Sequence, residues 1–282
     1  SVLDPRILNP SMIFHNLYIR SNANSLLTFE VDYSPIKHLN IYAQIAIDEF
    51  ALPGSEPMPG VADKAYPNAY GYLAGVQTSL PLKKGMVYGS FEFALTDPFL
   101  YLRDDGPTFA GQKWGEYGIN FVVAHREYSG PGITNGVTYH EEFLGYKYGG
   151  DALVFNLNGG YKEFGKWFAE GNLFYMLHGT HDQWTLWGLA HKNPDKGANE
   201  PPVLSTPTDT HWTQNNRDPQ AHLNRDAVSK TFVAGAKGGY TILKGLDVYG
   251  QADFIYILNP GNISTNPAIY DFQFSVGVSY KL

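Results

Sequence analysis

Apolar and polar residues alternate along most of this chain, in runs of about ten that come in pairs. Ser25–Tyr33 pairs with Leu39–Phe50, Tyr70–Leu80 with Met86–Leu95, Ala152–Tyr161 with Trp167–His178, and Thr231–Ile242 with Leu246–Leu258. Very short Lys- or Gly-bearing turns join the members of each pair: SPIKH, PLKKG, KEFGK and LKG. Successive strand side chains point to opposite faces, so each run predicts a strand with one apolar and one polar wall. In Ser25–Tyr33 the apolar wall is Leu27, Phe29, Val31 and Tyr33, and the polar wall is Thr28, Glu30 and Asp32. The chain ends the same way, with Tyr270, Phe272, Phe274, Val276, Val278 and Tyr280 opposite Asp271, Gln273, Ser275, Gly277 and Ser279.

Strands of this length, with short turns at one end and long polar loops at the other, are the pattern of a transmembrane β-barrel. Soluble sheets more often use strands of five or six residues. The expectation is therefore an all-β, antiparallel up-and-down transmembrane barrel of about twelve strands. It counts Met12–Arg20 as an opening strand and places further strands at Tyr117–Val123 and Val137–Tyr148. The short turns are periplasmic in this reading. The loops at 51–68, 97–115, 179–229 and 259–268 are extracellular, and the longest holds a short strand near Trp184–Leu189. Parity makes the glycine-rich connection at 126–137 periplasmic, although it is longer than the other turns; a miscounted strand there changes the total by two. Tyr33, Tyr70, Tyr72, Tyr88 and Tyr280 are candidates for interfacial girdles.

Composition narrows the alternatives. There are 20 Tyr and 17 Phe in 282 residues, no Cys, and a net charge of -7. The acidic balance argues against a nucleic-acid partner. The lack of Cys excludes disulfides and thiolate metal sites. No run of 18 apolar residues exists, so no helical span is expected. The opening SVLDPRILNP lacks a signal-peptide pattern, so residues 1–282 read as one barrel domain, either mature or a piece of something longer.

The expected lumen is acidic. Glu30, Asp32, Asp48, Glu49, Glu92, Asp151, Gln251 and Asp253 are binding candidates there or in the loops, because carboxylates and amides accept hydrogen bonds from sugar hydroxyls and favour cations in a pore. Trp184, Trp187 and Trp212 lie in the longest loop and suit stacking on sugar rings, seating among lipid headgroups or packing over the barrel mouth. HGTHD (His178–Asp182), with His191, His211 and His222, has no recognisable zinc spacing, so no metal is expected. There is no G-x-S-x-G elbow and no P-loop, and the expectation is a protein without catalytic residues or cofactor. A paired-carboxylate glycosidase stays open as an alternative, since sequence does not give carboxyl separation.

Two stretches carry a family resemblance. SLLTFEVDYSPIKHLNIYAQIAIDEF (Ser25–Phe50) is a strand, a short turn after a Pro-containing segment and a strand ending in the acids Asp48 and Glu49. YHEEFLGYKYGGDALVFNLNGGY (Tyr139–Tyr161) holds an "LG…G-D" motif at Gly145, Gly150 and Asp151 ahead of a strand. Both resemble the outer-membrane capsule-assembly proteins of the Wzi type. The resemblance implies a non-enzymatic barrel in the bacterial outer membrane that attaches or assembles surface polysaccharide, with lipid and polysaccharide as partners. Family barrels are larger and have an N-terminal helical portion, so this chain corresponds to a C-terminal part or a trimmed relative. The alternatives are a porin passing small solutes through an acidic lumen, and a soluble β-rich carbohydrate-binding protein or hydrolase.

Overall fold

The computed structural model describes residues 26–49, 69–98, 100–101, 122–128, 137–180 and 225–280. They form β1 (Leu27–Ile36), β2 (Leu39–Glu49), β3 (Ala69–Pro81), β4 (Gly85–Thr96), β5 (Val122–Tyr128), β6 (Val137–Phe143), β7 (Ala152–Glu163), β8 (Trp167–His178), β9 (Ser229–Leu243), β10 (Leu246–Leu258) and β11 (Ile269–Tyr280). Helix is limited to a single 3-10 turn at Pro260–Asn262 among the described residues. The expected strands at Met12–Arg20 and Trp184–Leu189 lie outside these residues, as do residues 50–68 and 181–224.

Nine strands form one antiparallel sheet in the order β1-β2-β3-β4-β7-β8-β9-β10-β11. Its strands run from 10 to 15 residues, and every hairpin turn the sequence marks is present. Two-residue turns need a residue at positive φ to match the strand twist; His38 (φ 69) serves between β1 and β2, and Gly245 (φ 87) between β9 and β10. The three-residue turn between β7 and β8 uses Gly165 (φ 71), and the Lys166 ammonium meets Glu163 at 2.7 Å across it.

The strand count needs correction. β5 and β6 pair with each other, from Val122↔Phe143 to Tyr128↔Val137, and stand apart from the large sheet. β4 instead pairs directly with β7, from Gly85↔Glu163 to Thr96↔Ala152. The whole stretch 97–151 is therefore one excursion that leaves and re-enters at the loop end. Arg126–Tyr128, expected within a glycine-rich connection, belong to β5 itself, and residues 129–136 lie outside the described residues. Among the described residues β1 and β11 each pair on one side only, so twelve strands and closure are not seen.

Register keeps the two walls continuous across the sheet. One apolar rung runs Val31–Ala43–Ala74–Phe93–Phe155–Tyr175–Phe232–Tyr256–Tyr270, each residue opposite the next. The rung below it runs from Tyr33 and Ile41 through Phe91, Leu157 and Leu173 to Phe254 and Phe272. No charged side chain interrupts either. Aromatics gather at both ends of this face. Tyr161 packs on Trp167 at 4.9 Å near the turns, and Tyr256 on Tyr270 at 4.9 Å near the loops. Tyr88, expected among the interfacial aromatics, lies on the other face.

On the polar face the loop end is filled. Ala94, Ala152 and Val154 are buried there, with Tyr146, Tyr148, Phe174 and Met176 packed against them. Leu100 is 2% exposed and presses on Gly71, where a Cβ would come within 2.9 Å of it. Residues 97–101 and 144–151 thus fold in over the polar face. This covering explains why β8 breaks its alternation: Phe174 and Met176 sit on the polar wall because they pack on the same buried cluster as Tyr146 and Tyr148, the Tyr148 ring 5.5 Å from that of Phe174.

Candidate functional site

The covered loop end is held by short-range hydrogen bonds. Tyr70 N donates to Asp97 Oδ2 at 2.9 Å, and Asp151 N donates to the Asp97 carbonyl at 3.1 Å. Thr96 Oγ1 donates to the Gly149 carbonyl at 3.1 Å and accepts from Ala152 N at 3.0 Å. Tyr101 Oη accepts from Tyr146 N at 2.9 Å, and Asn262 Nδ2 donates to the His178 carbonyl at 2.8 Å. Asp226, on the neighbouring loop, accepts from both the backbone and the hydroxyl of Ser264, which hold its carboxyl below the usual range. Burial raises the Tyr101 and Tyr146 phenols.

Asp97 is the titrating group of this cluster. Burial pushes its carboxyl from 3.8 up to about 6; the Tyr70 N–H opposes this and the Asp151 carboxylate adds to it. The folded form therefore holds a proton that the unfolded chain has lost between those values. Stability rises as pH falls through about 6 and the gain is complete near 3.8, the reverse of an ordinary ion-paired aspartate. Lowering pH from 7.5 to 5 is expected to slow protease cleavage at the loop end, and Asp97→Asn to remove that dependence while leaving the slow rate at every pH. A cleavage rate that falls with rising pH in the parent chain contradicts this sign.

Nearer the turns, the polar face is built from tyrosines lying across glycines. Tyr42 on β2 crosses Gly75 on β3 and donates to Glu92 Oε2 on β4 at 2.8 Å. A Cβ at Gly75 would overlap the phenol. Tyr88 on β4 crosses Gly160 on β7 and donates to Glu170 Oε1 on β8 at 2.6 Å. Each pair ties strands two apart, so the glycine is what lets the ring lie flat on the sheet.

Beside the second pair lies a hollow of about 230 Å³ over β4, β7, β8, β9 and β10. Its polar wall comes from two adjacent rungs, with Tyr88, Glu170, Lys237 and Gln251 on one and Asn158, Asn172, Gly235 and Asp253 on the other. Asn172 Nδ2 donates to Asn158 Oδ1 at 2.6 Å and to Asn156 Oδ1 at 2.8 Å. Gln251 Nε2 donates to Asp253 Oδ2 at 2.7 Å. Lys237 Nζ lies 5.7 Å from the centre of the Phe168 ring. The arrangement offers fixed donors and acceptors to a polar molecule. No group of three or more His, Cys, Asp or Glu that would hold a metal occurs among the described residues.

The residues singled out in the sequence divide among several places. Gln251 and Asp253 line the hollow. Glu30 and Asp32 lie on the polar face of β1, where Gln44 Nε2 donates to Glu30 at 2.7 Å and Asn40 Nδ2 to Asp32 at 3.3 Å. Glu92 belongs to the Tyr42 pair. Asp48 is buried on the polar face near the loop end, and Glu49 closes β2, paired with Ala69 after a bulge. Asp151 is 0% exposed at φ 56, in the packed loop rather than the open wall. Trp184, Trp187 and Trp212 lie outside the described residues. Sequence reasoning missed Tyr88, Glu170 and Lys237. The turn spacing of β7–β8 and β9–β10 already put Glu170 opposite Gly160 and Lys237 opposite Gln251, but only the β4·β7 and β8·β9 pairings bring them into one place.

Compared with family models, with curated proteins and with solved structures, the chain has no match.

Proposed function

We propose that the chain is the wall of a bacterial outer-membrane β-barrel, turns toward the periplasm and loops outside, that serves surface-polysaccharide attachment or assembly and catalyses no reaction. The observation that carries the reading is the uncovered apolar face. Phe274 is 76% and Val276 74% exposed, and Phe29, Phe91, Leu173 and Phe254 are exposed on the same wall. A soluble monomer rarely leaves so wide an apolar patch open to water. Hydrocarbon accepts it, and long strands paired along both edges, as β2, β3, β4, β7, β8, β9 and β10 are, suit that solvent.

Dimensions agree. From Tyr270 to Tyr280, β11 extends about 33 Å at roughly 3.3 Å per residue, or about 23 Å high at a tilt of ~45°, close to the apolar band of such barrels. The aromatics at both ends of that face fit two girdles.

Nine antiparallel strands leave β1 and β11 running the same way, so an all-antiparallel closed wall needs an odd number of additional strands. The segment Met12–Arg20, outside the described residues and expected from the sequence as an opening strand, is long enough for that place and would make the total ten. The polysaccharide role rests on the resemblance of Ser25–Phe50 and Tyr139–Tyr161 and on a polar face rich in hydroxyl-binding groups. The packed loop end favours it over free passage of solutes.

The test is purification and planar-bilayer recording. The protein is expected to require detergent, to migrate differently on gels before and after boiling, and to give no steady open-pore current. A chain that stays monodisperse without detergent, with unchanged mobility, overturns the barrel. A large persistent conductance overturns the retention role in favour of a porin.

A further inference from the structure

We infer that the hollow between β4 and β10 is a binding subsite for one neutral hexose unit. The inference rests on the barrel reading only for the route by which sugar arrives; the hollow is built from described residues alone. Its volume of about 230 Å³ suits a single sugar ring and excludes a folded peptide.

Three features of its wall point to hydroxyls. First, acceptors remain open on residues already held in place. Tyr88 fixes Glu170 through Oε1, and Gln251 fixes Asp253 through Oδ2; the second oxygen of each carboxylate accepts nothing among the described residues. Second, a donor stands between them. Lys237 lies directly opposite both Glu170 and Gln251, yet makes no ion pair among the described residues and rests on Phe168. Carboxylate, ammonium and amide groups carried by neighbouring strands present acceptors and donors side by side, which sugar hydroxyls, each both donor and acceptor, can satisfy together. Third, Gly235 keeps room for the Asp253 carboxylate, which a Cβ there would overlap.

Charge selects the sugar. Glu170 and Asp253 flank a single Lys237, and Glu92 and Asp271 lie on the next rung. A uronic acid would gain one ammonium and meet several carboxylates, whereas an uncharged sugar meets no such repulsion. The hollow runs from mid-strand toward the turns, away from the packed loop end, so in the barrel reading it faces the lumen.

Saturation-transfer NMR on the full chain tests this with the methyl glycosides of glucose, galactose and mannose, and with glucuronate as the charged control. At least one neutral glycoside is expected to bind saturably, with glucuronate weaker by about tenfold or more. Lys237→Met and Asp253→Asn are each expected to weaken binding about tenfold, the weight of one hydrogen bond to a charged group. Asp32→Asn, on β1 beyond the hollow, should leave it unchanged. Heat-modifiable mobility is read on every variant. Intact mobility with no saturable binding, or binding that ignores both hollow variants, overturns the subsite and leaves the barrel standing. Saturable, variant-sensitive binding by a chain that needs no detergent overturns the barrel and leaves the subsite standing.

Discussion

Val276→Arg lowers the stability of the protein folded in phospholipid vesicles by roughly 2–4 kcal/mol, while Ser275→Arg on the same strand changes it by less than about 1 kcal/mol. The two positions are consecutive on β11, so they share local strand propensity and edge effects. They differ in the face they occupy. Val276 is opposite Gly250 on the apolar wall, midway between Tyr270 and Tyr280, whereas Ser275 is opposite Gln251 on the polar wall. An arginine at mid-depth in hydrocarbon cannot keep its guanidinium hydrated without deforming the bilayer, and the penalty falls toward the interfaces. If water covers both faces, a 74% exposed valine is free to become arginine, and both substitutions stay within about 0.5 kcal/mol. Reversible urea unfolding in vesicles, followed by fluorescence, measures the pair. Equal tolerance would remove the reason for placing this sheet in a membrane.

Gly179→Ala is the second large effect, expected to destabilise the loop end by about 3 kcal/mol through overpacking. Gly179 N donates to the Asp151 carbonyl at 2.7 Å, and a methyl group on Gly179 would overlap the Asp151 carboxylate. That carboxylate is fully enclosed and has no path into water, so backbone must move. Displacing it also disturbs Asp97, whose carbonyl accepts from Asp151 N. Gly171→Ala is the control. Its added carbon would meet nothing closer than 3.9 Å, and alanine is the better residue inside a strand, so it should stabilise by a few tenths of a kcal/mol. The readout is protease sensitivity near residues 144–151 together with the unfolding midpoint. If both alanines behave alike, the packing described for the loop end is wrong.

The walls were legible because side-chain alternation has period two and four short connections tie neighbouring runs together, so that matching apolar to apolar residues selects the register, with a register shift beside two of the turns. The SPIKH turn alone does not set the pairing of Leu27/Phe29/Val31 with Ile41/Ala43/Ile45: the register shifts between Tyr33 and Ile36, and that irregularity is what puts Phe29 opposite Ile45 and Val31 opposite Ala43, apolar against apolar. The same argument placed Gln251 and Asp253 on the polar wall. It failed at 97–151, where β5 and β6 have strand-like composition but no short turn ties them to β4 or β7. A strand-forming sequence does not say which strand it will pair with: Tyr117–Val123 and Val137–Tyr148 are expected in the wall, whereas the described strands there, β5 and β6, pair with each other. Alternation by itself does not account for Phe174 and Met176 either: apolar residues on a polar wall are stable there because the segment that carries Tyr146 and Tyr148 packs over the same buried cluster.

Chain chemistry by itself decided that this protein is a two-faced antiparallel sheet with long strands, since burial preference and turn length act between residues close in sequence. The neighbours across long connections, β4 beside β7 and β8 beside β9, were decided only by the tertiary structure. Those two junctions create the packed loop end and the hollow, because they bring Tyr88, Glu170 and Lys237 together from segments that no local rule connects.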